Sequence, residues 1–157
     1  MSDTVRSEPA RYFEDYPVGA VFTGGPLAVS EADILDFAGR YDPQPMHVDK
    51  TVAEGGTFGG LIASGWHTGA LMMQLFVAHF LSPDSSLASP GLDELRWLLP
   101  VRPGDRLSLK VTVLTARRSR SKPDRGVVTS FVEVLNQNRE VVMSLKPISL
   151  LRCRPVA

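Results

Sequence analysis

Residues 64–81 read SGWHTGALMMQLFVAHFL, and no other segment restricts the fold of this chain as tightly. Ser64-Gly65 opens a helix, and Pro83 stops it. Leu71, Met72, Met73, Leu75, Phe76, Val77, Phe80 and Leu81 lie on more than one helical face. A helix that is apolar nearly all round belongs in a core or in a membrane. The longest mainly apolar run, Ala70 to Leu81, contains Gln74 and His79 and is shorter than the ~20 residues a span needs. The expectation is therefore no membrane segment, and a buried helix to about Leu81 that the rest of the chain wraps.

The last third of the chain supplies the wrapping. Leu107, Leu109, Val111 and Val113 alternate with Arg106, Ser108, Lys110 and Thr112. Val128, Ser130, Val132 and Val134 alternate with Val127, Thr129, Phe131 and Glu133. Asn136-Gln137-Asn138 turns the chain into a further run, Val141 to Leu151. This period of two over residues 93–152 reads as antiparallel strands joined by hairpins, with Pro103-Gly104-Asp105 as the turn before the first alternating run. A long helix followed by strands gives an α+β fold, one antiparallel sheet curved around a central helix. The sheet covers one side of the helix, so a second copy of the chain is expected on the other, a homodimer at least.

At 157 residues the chain reads as one domain, 1–157, with an irregular segment at 1–13. A first strand is expected at Ala20 to Thr23. Ser30-Glu31-Ala32-Asp33 resembles a capping box, and Ile34, Phe37, Ala38 and Tyr41 then mark one helical face. Pro43 ends that helix at Asp42. With 17 basic and 17 acidic residues the formal net charge is zero, which argues against nucleic-acid binding. The lone cysteine, Cys153, excludes an internal disulfide and a CxxC site. The N-terminal residues are charged and lack the apolar run of a secretory signal, so a cytoplasmic location is expected.

Candidate chemistry gathers in DPQPMHVD, residues 42–49. Pro43 and Pro45 stiffen the segment, and Asp42 and His47 can turn toward one point. A carboxylate beside an imidazole can grip a water molecule and move protons, a contribution of about 10²–10⁴-fold in rate. Gly65, at the start of the long helix, has an N–H without an intrahelical partner, and its bare α-carbon lets a carbonyl approach. Ser64 is an N-cap that also borders this point. His67, on the first turn, is either a packed histidine or one that lines a pocket. His79 is given no role. GGTFGG, residues 55–60, lacks the lysine of a phosphate-binding loop, and no metal site is indicated.

Taken together, Asp42 to Asp49, Phe58-Gly59-Gly60-Leu61-Ile62-Ala63-Ser64-Gly65-Trp66-His67-Thr68, Leu95-Arg96-Trp97 and Val101-Arg102-Pro103-Gly104-Asp105 resemble the MaoC-like acyl dehydratases, or (R)-specific enoyl-CoA hydratases. The resemblance covers roughly residues 14–153. It implies a hot-dog fold and a dimer or higher oligomer, with the acyl chain near the subunit interface. It further implies reversible addition of water to a trans-2-enoyl thioester, giving the (3R)-hydroxyacyl thioester. In that reading Asp42 and His47 hold the water, and the Gly65 N–H polarises the thioester carbonyl. No cofactor is implied beyond the coenzyme A of the substrate. Arg117, Arg118, Arg120, Lys122 and Arg125 form a basic hairpin loop, in which Arg118 and Arg120 are candidate contacts for coenzyme A phosphates. Where studied members carry a small polar residue on the central helix, this chain has about Met73. A hot-dog acyl-CoA thioesterase and a non-catalytic acyl-thioester-binding module are the alternatives.

Overall fold

The alternation written into residues 106–135 is realised residue for residue. In the computed structural model, which describes residues 9–156, β3 (Arg106–Arg118) and β4 (Arg125–Leu135) pair antiparallel. Leu107, Leu109, Val111, Val113, Val128, Val132 and Val134 are all buried. Each such side chain contributes roughly 1.5–3 kcal/mol by leaving water. β5 (Val141–Arg152) extends the sheet beyond β4.

Two further strands complete a five-stranded antiparallel sheet of order β1-β3-β4-β5-β2. β1 runs Val21–Ala28, longer than the expected Ala20 to Thr23. β2 runs Ser86–Trp97, and the sequence suggests only its end. Pro90 and Gly91 sit inside β2, and its register to β5 shifts three times. Such a strand can exist at an edge, where one side needs no ladder.

The helices lie between β1 and β2 in the chain. α1 (Glu31–Tyr41) starts on Ser30, whose hydroxyl accepts the Asp33 N–H at 3.1 Å. Ile34 and Ala38 are buried, Phe37 is half-buried and Tyr41 is exposed. Two short helices follow, α2 (Pro45–Val48) and α3 (Lys50–Glu54). α4 (Gly65–His79) packs on β1 and β3, and it ends two residues before Leu81. Its last turn is held by an aromatic cluster. Phe80 lies 4.8 Å from Tyr16, 5.1 Å from Phe22 and 4.6 Å from Phe76, and the Tyr16 hydroxyl donates to the Phe80 carbonyl.

Burial of α4 is one-sided. Met72, Leu75 and Phe76 enter the core, whereas Trp66, Met73 and Val77 are 61%, 43% and 49% exposed. The all-round apolar pattern thus describes a helix with a covered face and a bare apolar stripe. Residues 1–8 of the segment expected to be irregular lie outside the described residues. Residues 9–12 have no regular structure, and a 3-10 turn spans Phe13–Asp15. Among the described residues, no helix is long and apolar enough to cross a membrane.

Candidate active site

The segment 42–49 is a helix end followed by a new helix turn. Asp42 caps α1, its N–H bonded to the Ala38 carbonyl at 2.9 Å. Pro43 forbids another helical turn, and Pro45 then starts α2 at its first position, where a missing N–H costs nothing. This reversal turns the His47 side chain back toward Asp42. The imidazole is 5% exposed, and its Nε2 lies 3.4 Å from Asp42 Oδ2. Its Nδ1 lies 2.7 Å from the Ile62 carbonyl. A carbonyl can only accept, so Nδ1 carries the hydrogen.

Both oxygens of Asp42 are in use. The Gln44 amide donates to Oδ1 at 2.7 Å, and the Ser64 hydroxyl donates to Oδ2 at 2.7 Å. These two bonds, the Gln44 bond first, hold the Asp42 pKa below the usual carboxylate value, and nearby His47 adds to the effect. With Nδ1–H committed to Ile62, the uncharged form of His47 presents a lone pair at Nε2 to the Asp42 carboxylate. Two acceptors cannot bond each other. A water placed between them can donate one hydrogen to each, leaving its oxygen lone pairs free.

Ser64 links this pair to α4. Its hydroxyl oxygen accepts the Trp66 N–H at 3.3 Å while donating to Asp42. The backbone is anchored on both sides, by the Ile62 N–H to the Met46 carbonyl at 3.2 Å and the Ala63 N–H to the Val101 carbonyl at 2.8 Å. The Gly65 N–H has no acceptor among the described residues and stands at the positive end of the α4 dipole. A β-carbon on Gly65 would lie 2.4 Å from the Trp97 indole. That indole instead packs on the bare α-carbon and donates to the Gly65 carbonyl at 2.9 Å. His47 and Gly65 share the wall of a cavity of about 370 Å³, which Met46, Phe58, Trp97 and Leu98 make largely apolar.

Asp42, His47, Ser64 and Gly65 therefore come together. His67 points elsewhere: it is 5% exposed and stacks on Phe37 of α1, ring centroids 4.8 Å apart. Burial holds its pKa below the ordinary histidine value, against a smaller pull from Asp33. Met73 lies on the bare stripe of α4 and does not line the cavity. Arg118 sits at the β3–β4 end of the sheet, 3.5 Å from Glu14, and Arg120 is exposed in the turn beyond it. Within one chain, neither arginine lines the cavity. Sequence reasoning missed Gln44 and the Ile62 carbonyl. A glutamine two residues from a candidate aspartate is a readable signal, but a backbone carbonyl leaves none.

A family model for the MaoC like domain matches residues 16–135. The chain belongs to the MaoC-like family. It is 35% identical over 138 residues to the uncharacterized protein YdeM of Bacillus subtilis, covering 88% of this chain and 96% of that protein. It is 31% identical over 157 residues to a mesaconyl-CoA hydratase of Cereibacter sphaeroides, covering 98% of this chain but only 44% of that longer protein. The crystal structure of a MaoC-like dehydratase from Rhodospirillum rubrum superposes with a TM-score of 0.85 at 40% identity, covering 94% of this chain and all of that one. A Mycobacterium tuberculosis protein described as a double hotdog fold gives a TM-score of 0.80 at 18% identity, over 94% of this chain and 46% of that one. The MaoC-like chain thus has the hot-dog fold, with α4 as the helix inside the curved sheet.

Proposed function

We propose that this MaoC-like protein is a hydro-lyase that adds water reversibly to a trans-2-enoyl thioester, giving the (3R)-hydroxyacyl thioester. One observation carries the reading. Asp42 Oδ2 and His47 Nε2 face each other at 3.4 Å, beside a cavity whose wall includes His47 and Gly65 at the start of α4. The Gly65 N–H bonds the thioester carbonyl and stabilises the enolate as charge develops; one such donor is worth about 3 kcal/mol. The bridging water attacks the β-carbon. The pair takes up one of its protons and returns a proton to the α-carbon, so no external acid, base or redox partner is consumed. The apolar walls hold the acyl group and keep bulk water out.

The carrier is coenzyme A in this reading, supported by the likeness to a mesaconyl-CoA hydratase. The active unit is a homodimer or larger, supported by the uncovered stripe of Trp66, Met73 and Val77 beside the exposed Trp97 and Leu98. Arg118 and Arg120 contact coenzyme A phosphates only where another subunit brings that loop to the cavity.

Incubation with crotonyl-CoA and a panel of branched and dicarboxylic 2-enoyl-CoA thioesters tests the function. Loss of enoyl absorbance without free thiol is expected for at least one substrate. Release of free thiol would instead make the protein a thioesterase, and binding without turnover would make it a carrier of acyl thioesters.

A further inference from the structure

The edge of the sheet where β1 runs beside β3 carries a second and larger cavity, of about 730 Å³, lined from both faces of the sheet. Leu107 and Leu109 point into the core, so Arg106, Ser108 and Lys110 point outward from the same strand. Arg106 and Lys110 line the cavity with Arg139, from the β4–β5 turn, and His79, from the end of α4. Among the described residues, no acidic side chain lines it. Among the described residues, the side chains of Arg106, Lys110 and Arg139 hold no ion pair and no hydrogen bond. The adjacent acid, Asp105, is occupied by the Gln137 amide at 3.0 Å and the Arg102 N–H at 2.9 Å. Glu133 faces Lys110 in the ladder without pairing with it or lining the cavity.

The strand edge is bare here. β1 pairs Gly24 with Leu109 and next Leu27 with Leu107, so Gly25 and Pro26 bow out opposite Ser108. A β-carbon on Gly24 would lie 2.1 Å from the His79 ring. Only glycine therefore lets the last residue of α4 lie across β1 into the cavity wall. Three unpaired cations around one hollow repel one another, in a chain whose formal net charge is zero. A multiply charged anion relieves that repulsion, and the Ser108 hydroxyl in the cavity wall can donate to it, while the Asn136 and Gln137 amides are held by Glu140 and Asp105. No Phe, Tyr or Trp lines the cavity to stack on a base.

We propose that this cleft binds a small molecule carrying at least two phosphate groups, recognised by the phosphates themselves. His79 closes the 15-residue α4 that Gly65 opens, a separation of roughly 21 Å at 1.5 Å per residue. The site is therefore distinct from the catalytic cavity of the same chain, and pyrophosphate binding there is independent of the hydratase reading, on which only the assignment of the phosphates to a thioester rests. Its phosphates come from a free diphosphate compound or from the coenzyme A head of a thioester bound to a neighbouring subunit.

Calorimetric titration of the full chain with inorganic pyrophosphate at low ionic strength tests the proposal. Binding is expected, weaker for sulfate and weakening as sodium chloride is added. The triple variant Arg106→Ala, Lys110→Ala, Arg139→Ala should bind about tenfold or more weakly. All three side chains are exposed, and an unchanged melting temperature checks the fold. The single variant Lys110→Glu should weaken binding in the same direction, and Asp42→Asn should leave it intact. Displacement of pyrophosphate by coenzyme A, with a raised KM for thioesters in the triple variant, assigns the phosphates to the thioester head. Binding with an unchanged KM assigns them to a free ligand. No binding by the wild type, equal affinity for sulfate, or unchanged affinity in the triple variant overturns the proposal.

Discussion

Asp42 is the residue on which the site turns. Gln44 occupies one oxygen, and Ser64 and the space before His47 share the other. Asp42→Asn keeps the shape but turns an acceptor into a donor, and His47→Gln removes the titrating ring. Each is expected to lower turnover about 10²-fold or more with the fold intact; steady-state kinetics on the best thioester substrate checks this. Gln44 is the largest cause of the depressed Asp42 pKa. A carboxylate with a depressed pKa stays ionised, and contributes its stability, above the ordinary value near 3.8; both are lost as pH falls through the lower folded value. Gln44→Ala should therefore move the acid limb of the kcat/KM profile to higher pH, with little change at neutral pH. An acid limb that stays in place would show that Gln44 does not set the charge of Asp42.

At the scale of elements, α4 joins the catalytic pair to the core, because Ser64 caps the helix and bonds Asp42 in the same place. α1 leans on α4 through the Phe37–His67 stack, and His67 Nδ1 is buried without a hydrogen-bond partner among the described residues. Burial lowers the His67 pKa, and the start of a helix is a poor place for a cation. The unfolded chain takes up that proton near pH 6.5, whereas the folded chain resists it. The stability from neutral His67 is thus complete above about pH 6.5 and is lost as pH falls through that value toward the folded one. The melting temperature should drop between about pH 7.5 and 5.5, and less steeply in His67→Phe; parallel curves for the two proteins would contradict this.

The elements also show what a sequence can and cannot carry. β3 and β4 were legible because one face is packed and the other wet, which leaves a period of two in Leu107 to Val113. α1 was legible from Ser30, Ile34, Ala38 and Pro43. β2 was not, because Pro90, Gly91 and repeated register shifts erase the alternation on an edge strand. α2 was hidden because Pro43 and Pro45 read as loop residues, although the second of them starts a helix. The juxtaposition of Asp42 with His47 could be suspected from spacing and the two prolines. The Ser64–Asp42 bond spans 22 residues and leaves no local trace.

At the scale of the molecule, a single chain leaves Trp66, Met73 and Val77 in water along one side of α4. An apolar stripe of this kind beside a cavity mouth suits an interface between copies. Met73→Glu places a charge in its middle, away from Asp42 and His47. It should shift the protein to a smaller assembly in analytical ultracentrifugation and lower activity in step with dissociation; an unchanged sedimentation coefficient would place the interface elsewhere.

Catalysis at this site depends on where a thioester settles against the start of α4. A high-resolution crystal structure with butyryl-CoA, a saturated and unreactive substrate mimic, measures this directly. The prediction is a thioester oxygen at about 3 Å from the Gly65 N–H and an ordered water touching both Asp42 Oδ2 and His47 Nε2 on the side of the β-carbon. A thioester bound away from Gly65, or a gap between Asp42 and His47 that holds no solvent and faces no substrate carbon, would contradict it.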